Sequence, residues 1–98
     1  MSDFDVDLLS QIKRGRQRNY AFKYLSDKPK TVSEIMKLIN AEIKKSEEEK
    51  PIRLRDISRA LKWLEQSGVA RCLNPGSRGE RGILYELTQK GIKLKSLF

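Results

Sequence analysis

The hydrophobic periodicity of the chain changes at Gly68, and this change constrains the fold more than any other feature. Before Gly68, apolar residues recur every three or four positions, which is the spacing of amphipathic helices. After it, the short segments 69–73 and 83–87 are typical of strands. The sequence therefore predicts an α+β fold that is mostly helical, in which helices come first and a β-hairpin follows them.

Capping signals place the helices more closely. The periodicity predicts helices over residues 2–12, 16–26, 31–44 and 53–67, with a break near Gly15. Thr31 and Glu34 have the spacing of a capping box, in which each side chain bonds to the backbone N–H of the other residue. Gly68 is placed to end the last of these helices in the left-handed conformation.

Composition excludes several kinds of site in this chain of 98 residues. It has no histidine and a single cysteine, Cys72, so a His-containing triad or a Cys/His zinc site cannot be assembled within one chain. We therefore expect no enzymatic activity, no metal and no cofactor. The acidic N-terminus is unlike a signal peptide, and no apolar run approaches the roughly 20 residues that span a bilayer. These features predict a cytoplasmic protein with no membrane partner.

The charge balance favours a polyanionic partner. Lys and Arg number 21 against 13 Asp and Glu, which gives a net charge of +8. The side of the 53–67 helix opposite its apolar stripe carries Arg55, Ser58, Arg59, Lys62 and Gln66. A helix with such a face fits the major groove of B-DNA. A solvated helix whose charges only confer solubility would have the same pattern.

The glycine-rich segment 74–82 is longer than a tight hairpin turn and joins the two predicted strands. It carries Arg78 and Arg81 among three glycines, which permit close approach to a phosphate backbone or to a narrow minor groove. A flexible surface loop would have a similar composition, so the order of helix, strand and basic loop is the stronger signal. Further candidate phosphate contacts are Arg14, Arg16, Arg18 and Lys30.

Three stretches resemble winged helix-turn-helix transcriptional regulators of the MarR/ArsR-like type found in archaea and bacteria. They are TVSEI at 31–35, ISRALKWLEQSGVAR at 57–71 and YELTQKG at 85–91. The resemblance extends over about residues 20–94 and implies a three-helix core with a β-hairpin wing. It also implies that the helix from Arg53 to Gln66 is the recognition helix and that 74–82 is the wing. Residues 1–15 are then an N-terminal amphipathic extension, and residues 16–98 the winged helix-turn-helix domain.

The resemblance also implies a homodimer, although the chain departs from the family in two ways. The connection at 40–52 is longer than the usual tight turn, and no long dimerisation helices flank the core. The apolar residues that could form a dimer interface are Phe4, Leu8, Leu9, Ile12, Leu94, Leu97 and Phe98. Packing of these residues within their own chain is the alternative.

The sequence as a whole favours a sequence-specific double-stranded DNA-binding protein that acts as a transcriptional regulator. Its recognition helix would lie in the major groove, and its wing on the backbone or minor groove. The alternative is a winged-helix module that binds an acidic protein partner, because fold alone does not settle function. RNA binding is a weaker alternative, since the chain has no cluster of aromatic residues for base stacking. Trp63, at the edge of the apolar stripe, is expected to be partly buried.

Overall fold

The computed structural model describes residues 6–46, 50–76 and 79–98. Over these residues the helices are α1 (Val6–Arg14), α2 (Arg16–Tyr24), α3 (Val32–Ser46), α4 (Leu54–Gln66) and α5 (Gln89–Lys95). The strands are β1 (Lys30–Thr31), β2 (Ala70–Cys72) and β3 (Leu84–Leu87), and a 3-10 turn covers Glu80–Gly82. The strands form one antiparallel sheet in the order β1-β3-β2. The predicted α+β, mostly helical fold is confirmed.

The first two helices are separated at Gly15, whose backbone is extended with φ −88°. The apolar side of α1 (Leu8, Leu9 and Ile12) is buried in the same core as the other helices. Leu94 of α5 is also buried in that core. Four of the seven residues considered for a dimer interface are thus buried within their own chain. Phe4 lies outside the described residues.

The predicted capping box at the start of α3 is confirmed. The hydroxyl of Thr31 accepts a hydrogen bond from the backbone N–H of Glu34 at 3.1 Å. The carboxylate of Glu34 accepts one from the backbone N–H of Thr31 at 3.3 Å. The helix then buries Val32, Ile35 and Ile39 along one side. It therefore begins where the sequence predicts, and it continues two residues beyond the predicted end.

The end of α4 is fixed by the left-handed glycine that the sequence predicts. Gly68 has φ +84°. Its N–H donates to the carbonyl of Glu65, and the N–H of Val69 donates to the carbonyl of Leu64. These two bonds are those of a Schellman motif, and the buried side chains of Leu64 and Val69 supply its hydrophobic contact. The motif turns the chain directly from α4 into the sheet.

The long connection between α3 and α4 is held by Asn40. Its side-chain amide donates to the carbonyl of Ile52 at 3.2 Å, and its carbonyl oxygen accepts from the N–H of Ile52 at 2.9 Å. Ile52 itself is buried. The connection is therefore longer than that of a tight helix-turn-helix, yet its far end is fixed to α3 just before α4 begins.

The C-terminal helix begins earlier than the sequence pattern predicts. That pattern places the end of the second strand at 88–91 and a short helix over 92–98. Instead α5 begins at Gln89, because the Thr88 hydroxyl accepts a hydrogen bond from the N–H of Gly91 at 3.2 Å and caps the helix. The same hydroxyl donates to the carbonyl of Gly68 at 2.6 Å. The cap of α5 is thus tied to the end of α4.

Candidate nucleic-acid interface

Helix α4 has one fully buried side and one exposed basic side. Ile57, Leu61 and Leu64 lie in the core. The exposed residues of the predicted DNA-binding set are Arg53, Arg55, Arg59, Lys62 and Gln66. Arg53 is at the N-cap, where its carbonyl accepts from the N–H of Ile57 at 3.1 Å. The helix therefore presents the cationic groups of Arg55, Arg59 and Lys62 on a single exposed side.

Ser58 does not belong to this exposed side, so its predicted position is wrong. It is only 3% exposed. Each helical residue advances about 100° around the axis, which places Ser58 between the apolar stripe and the basic side. Helix α3 and the 3-10 turn both pack against α4. A short hydroxyl side chain at this border is covered, whereas the longer side chains of Arg55 and Lys62 reach solvent.

The wing folds back beside α4. Its 3-10 turn packs against both α3 and α4, and the N–H of Val32 donates to the carbonyl of Ile83 at 3.0 Å. Arg81 lies in this turn and is exposed. The predicted wing residue Arg78 lies outside the described residues. Arg81 is therefore a cationic group adjacent to α4 on the wing side.

Asn74 fixes the base of the wing. Its side-chain carbonyl accepts from the N–H of Leu84 at 2.7 Å, and its amide donates to the carbonyl of Gly82 at 3.0 Å. The hydrophobic periodicity of the sequence does not reveal this role. The residue type is the signal for it, since asparagine directly after a strand is a common start of a turn.

The opposite flank of α4 faces the start of α2. The guanidinium of Arg18 lies over the ring of Trp63, with its carbon 4.5 Å from the ring centroid. A groove of about 270 Å³ runs between the two helices, lined by Gln17, Arg18, Asp56, Arg59, Ala60 and Trp63. Trp63 is half-buried, as predicted. The sequence pattern did not show that Arg18 and Trp63 would meet, because they lie on different helices.

The other candidate phosphate contacts are separated by the fold. Arg14 is exposed at the end of α1. Arg16 is half-buried and donates to the backbone carbonyl of Lys50, which ties the start of α2 to the α3–α4 connection. Lys30 lies beyond the other end of α2, where its ammonium donates to the hydroxyl of Ser26 at 2.9 Å. The fold therefore brings Arg14, Arg16 and Arg18 to one end of α2 and leaves Lys30 apart.

Within residues 6–46, 50–76 and 79–98, no group of three or more Cys, Asp or Glu side chains could hold a metal ion. No helix in these ranges is long and apolar enough to cross a membrane. Cys72 is half-buried on β2, with its sulfur 3.8 Å from the side-chain oxygen of Asn74.

Comparisons with known proteins give one structural likeness. No protein-family model matches the chain, and no curated protein matches it. Among solved structures, the chain is similar to the reduced form of the transcriptional regulator YodB from B. subtilis, with a TM-score of 0.68 and 23% sequence identity. The likeness covers 94% of this chain and 79% of that chain. The chain thus has the fold of that regulator, which is the winged helix-turn-helix arrangement of α3, α4 and the β2–β3 wing.

Proposed function

We propose that the protein is a sequence-specific double-stranded DNA-binding protein that regulates transcription. In this proposal the exposed side of α4 enters the major groove, where Arg55, Arg59, Lys62 and Gln66 face base edges and nearby phosphates. The observation that carries it is the single basic side of α4, lying between the wing and the start of α2. The likeness to a transcriptional regulator of the same fold supports it.

The flanks of α4 have separate roles in this proposal. Arg81 and Arg78 of the wing contact the backbone or the minor groove, and Arg14, Arg16 and Arg18 contact the backbone on the other flank. The two phosphate backbones border the major groove. Cationic groups on both sides of a recognition helix can therefore contact the phosphates of both strands. Residues 16–98 constitute the DNA-binding domain in this proposal, and residues 1–15 are its N-terminal extension.

Fluorescence anisotropy with labelled random-sequence duplex DNA, repeated over a salt series, tests the proposal. We expect log K to fall by about 0.9 per phosphate contacted for each log unit of salt. Site selection should then yield a preferred sequence. Absence of binding at low salt would contradict the proposal, and capture of an acidic protein on the same basic side would then favour an interaction module.

Two variants distinguish base contacts from phosphate contacts. We expect Arg59→Ala to weaken binding to the preferred site by about 1–3 kcal/mol and to relax specificity. Arg81→Ala should weaken binding to all duplexes alike and reduce the salt slope by about 0.9. Lys28→Ala, which removes an exposed charge between α2 and β1, is the matched control. Unchanged affinity in both Arg59→Ala and Arg81→Ala would contradict the assignment of these residues.

We further propose that the protein binds DNA as a homodimer, as the resemblance to winged helix-turn-helix regulators implies. Leu97 remains exposed at the C-terminus and is available for such an interface, next to the partly exposed Phe98, whose ring contacts Phe22 of its own chain. A two-fold dimer would favour a pseudo-palindromic site whose half-sites lie about one helical turn apart. Light scattering of the free protein and of its DNA complex measures the stoichiometry, and a monomer in both would contradict this proposal.

A further inference from the structure

Arg18 is held in place by two uncharged residues, Gly15 and Trp63. Its guanidinium lies over the Trp63 ring at a distance typical of a cation–π contact. It also lies against the backbone of Gly15, because an ideal Cβ at residue 15 would be only 2.9 Å from the guanidinium carbon. Gly15 precedes α2 and Trp63 belongs to α4. The Arg18 platform, formed by Gly15 and Trp63, therefore spans the start of one helix and the side of the other.

Arg18 and Trp63 of the platform line the groove that borders the basic side of α4. Arg59 lines the same groove one turn before Trp63. Asp56 lies seven residues before Trp63, which is about 10.5 Å along the helix axis. Its carboxylate repels an anion at that end of the groove. The guanidinium of Arg18 favours an anion next to the platform. The guanidinium of Arg59, which lies between Asp56 and Trp63 along the helix, adds positive charge to the same groove.

We infer that Gly15 and Trp63 are positioning residues that hold the guanidinium of Arg18 for contact with a DNA backbone phosphate. The inference rests on the proposed DNA-binding function. A free arginine side chain loses rotamer freedom when it binds a phosphate, which weakens the contact. Stacked on Trp63, Arg18 has lost that freedom before DNA arrives, so its contact is preorganised. Neither positioning residue needs to touch DNA.

Three variants disturb the platform without removing a charge. Gly15→Ala places a methyl group where the guanidinium lies, and the backbone φ of −88° at this position accepts any residue. The atoms displaced are the flexible end of Arg18, so the chain should still fold. Trp63→Leu removes the aromatic ring, and Trp63→Phe retains a smaller one. We expect Gly15→Ala and Trp63→Leu to raise the Kd for duplex DNA about three- to tenfold, and Trp63→Phe to raise it less.

A double-mutant cycle with Arg18→Ala shows whether the platform acts through Arg18. In the Arg18→Ala background, Gly15→Ala and Trp63→Leu should change Kd by less than about twofold, because the group they position is absent. Arg18→Ala should reduce the salt slope by about 0.9, whereas the platform variants should leave the slope nearly unchanged because they remove no cation. Lys28→Ala serves as the control for loss of one positive charge.

The tryptophan gives a readout that does not depend on DNA. Trp63 is the only tryptophan of the chain, so its fluorescence reports on the platform alone. Gly15→Ala and Arg18→Ala should both increase quenching of Trp63 by acrylamide in the free protein, and Lys28→Ala should not. Unchanged quenching, or platform variants that weaken DNA binding equally with and without Arg18, would overturn the inference. If the wild-type chain shows no salt-dependent DNA binding, both the proposed function and this inference are wrong.

Discussion

Gly91 lies where α5 passes against the backbone of the segment that follows α4. A Cβ at this position would collide with the carbonyl oxygen of Val69 and would lie 3.0 Å from a methyl group of Leu87. The carbonyl of Val69 also accepts a hydrogen bond from the N–H of Thr88, at 3.0 Å. The obstacle is therefore fixed backbone and cannot move aside at little cost.

We expect Gly91→Ala to lower the free energy of unfolding by about 1–3 kcal/mol, because α5 must shift away from the sheet. The higher helix propensity of alanine, worth up to about 1 kcal/mol, offsets only part of this loss. Urea unfolding followed by circular dichroism measures the change. Gly82→Ala is the matched control, since a Cβ there would have no atom within 4 Å. Equal stability of the two variants would contradict the close approach.

At the scale of single residues, helical periodicity predicts the exposure of a side chain well only where no neighbouring element covers that side chain. Arg55, Arg59 and Lys62 are exposed as predicted, because their long side chains extend away from the stripe of the same helix. Ser58 is buried where other elements pack against α4, and the periodicity of one helix carries no information about such packing. Phe22 was not predicted to be buried, yet it is fully enclosed and contacts Phe98 edge-on, with ring centroids 5.2 Å apart.

The base of the wing is closed by one side chain. Asn74 bonds to both Gly82 and Leu84, so it closes the base of the 74–82 segment. Leu73, next to it, donates its N–H to the carbonyl of Leu84 at 2.9 Å. These bonds hold the 3-10 turn, with Arg81, against α4.

We expect Asn74→Ala to weaken DNA binding without removing any charge. Loss of both bonds loosens the turn, so more of the order of Arg81 must be gained when DNA binds, which lowers affinity. The salt slope should stay close to that of the wild type, whereas Arg81→Ala lowers it by about 0.9. Anisotropy titrations of the two variants over one salt series make the comparison. If Asn74→Ala binds DNA with the affinity of the wild type, the bonds of Asn74 are not needed to position Arg81 for DNA binding.

Elements with local signals were predictable from the sequence, and elements formed by distant pairing were not. The capping box at Thr31 and the left-handed Gly68 place the start of α3 and the end of α4 correctly. Strand β1 was missed because two residues have no periodicity, and it exists only through pairing with β3. The Arg18–Trp63 contact was missed for a similar reason, since it requires α2 and α4 to pack together.

At the scale of the whole molecule, α5 closes the fold against α2. The ammonium of Lys95 donates to the backbone carbonyls of Lys23, at 2.8 Å, and of Leu25. Positive charge at a helix C-terminus is favourable, because the last carbonyls carry partial negative charge. Burial lowers the pKa of Lys95, and the nearby charge of Lys30 lowers it further. Folding therefore disfavours the charged form of Lys95, which lowers the free energy of unfolding at neutral pH. This loss of stability becomes smaller as pH rises towards 10.5, because the amine loses its charge.

The stability of the fold should decrease at high pH because of Tyr85. Burial raises the pKa of this tyrosine from 10.0 to about 12, and the charges of Glu65 and Cys72 add to the shift. The folded state thus retains a neutral phenol where the unfolded chain ionises. The contribution of Tyr85 to the free energy of unfolding is therefore fully present below pH 10 and is lost as pH rises through about 12. This effect is opposite in sign to that of Lys95.

We therefore expect the stability difference between the wild type and Tyr85→Phe to shift in favour of the variant as pH rises. Between pH 9 and about 11.5 the shift should reach about 1–2 kcal/mol, because phenylalanine has no proton to lose and its folded state is not penalised. Urea unfolding of both proteins at several pH values measures it. Since Lys95 is present in both, its opposite effect cancels in the difference. Parallel pH profiles would show that Tyr85 ionises as readily in the folded chain as in the unfolded one.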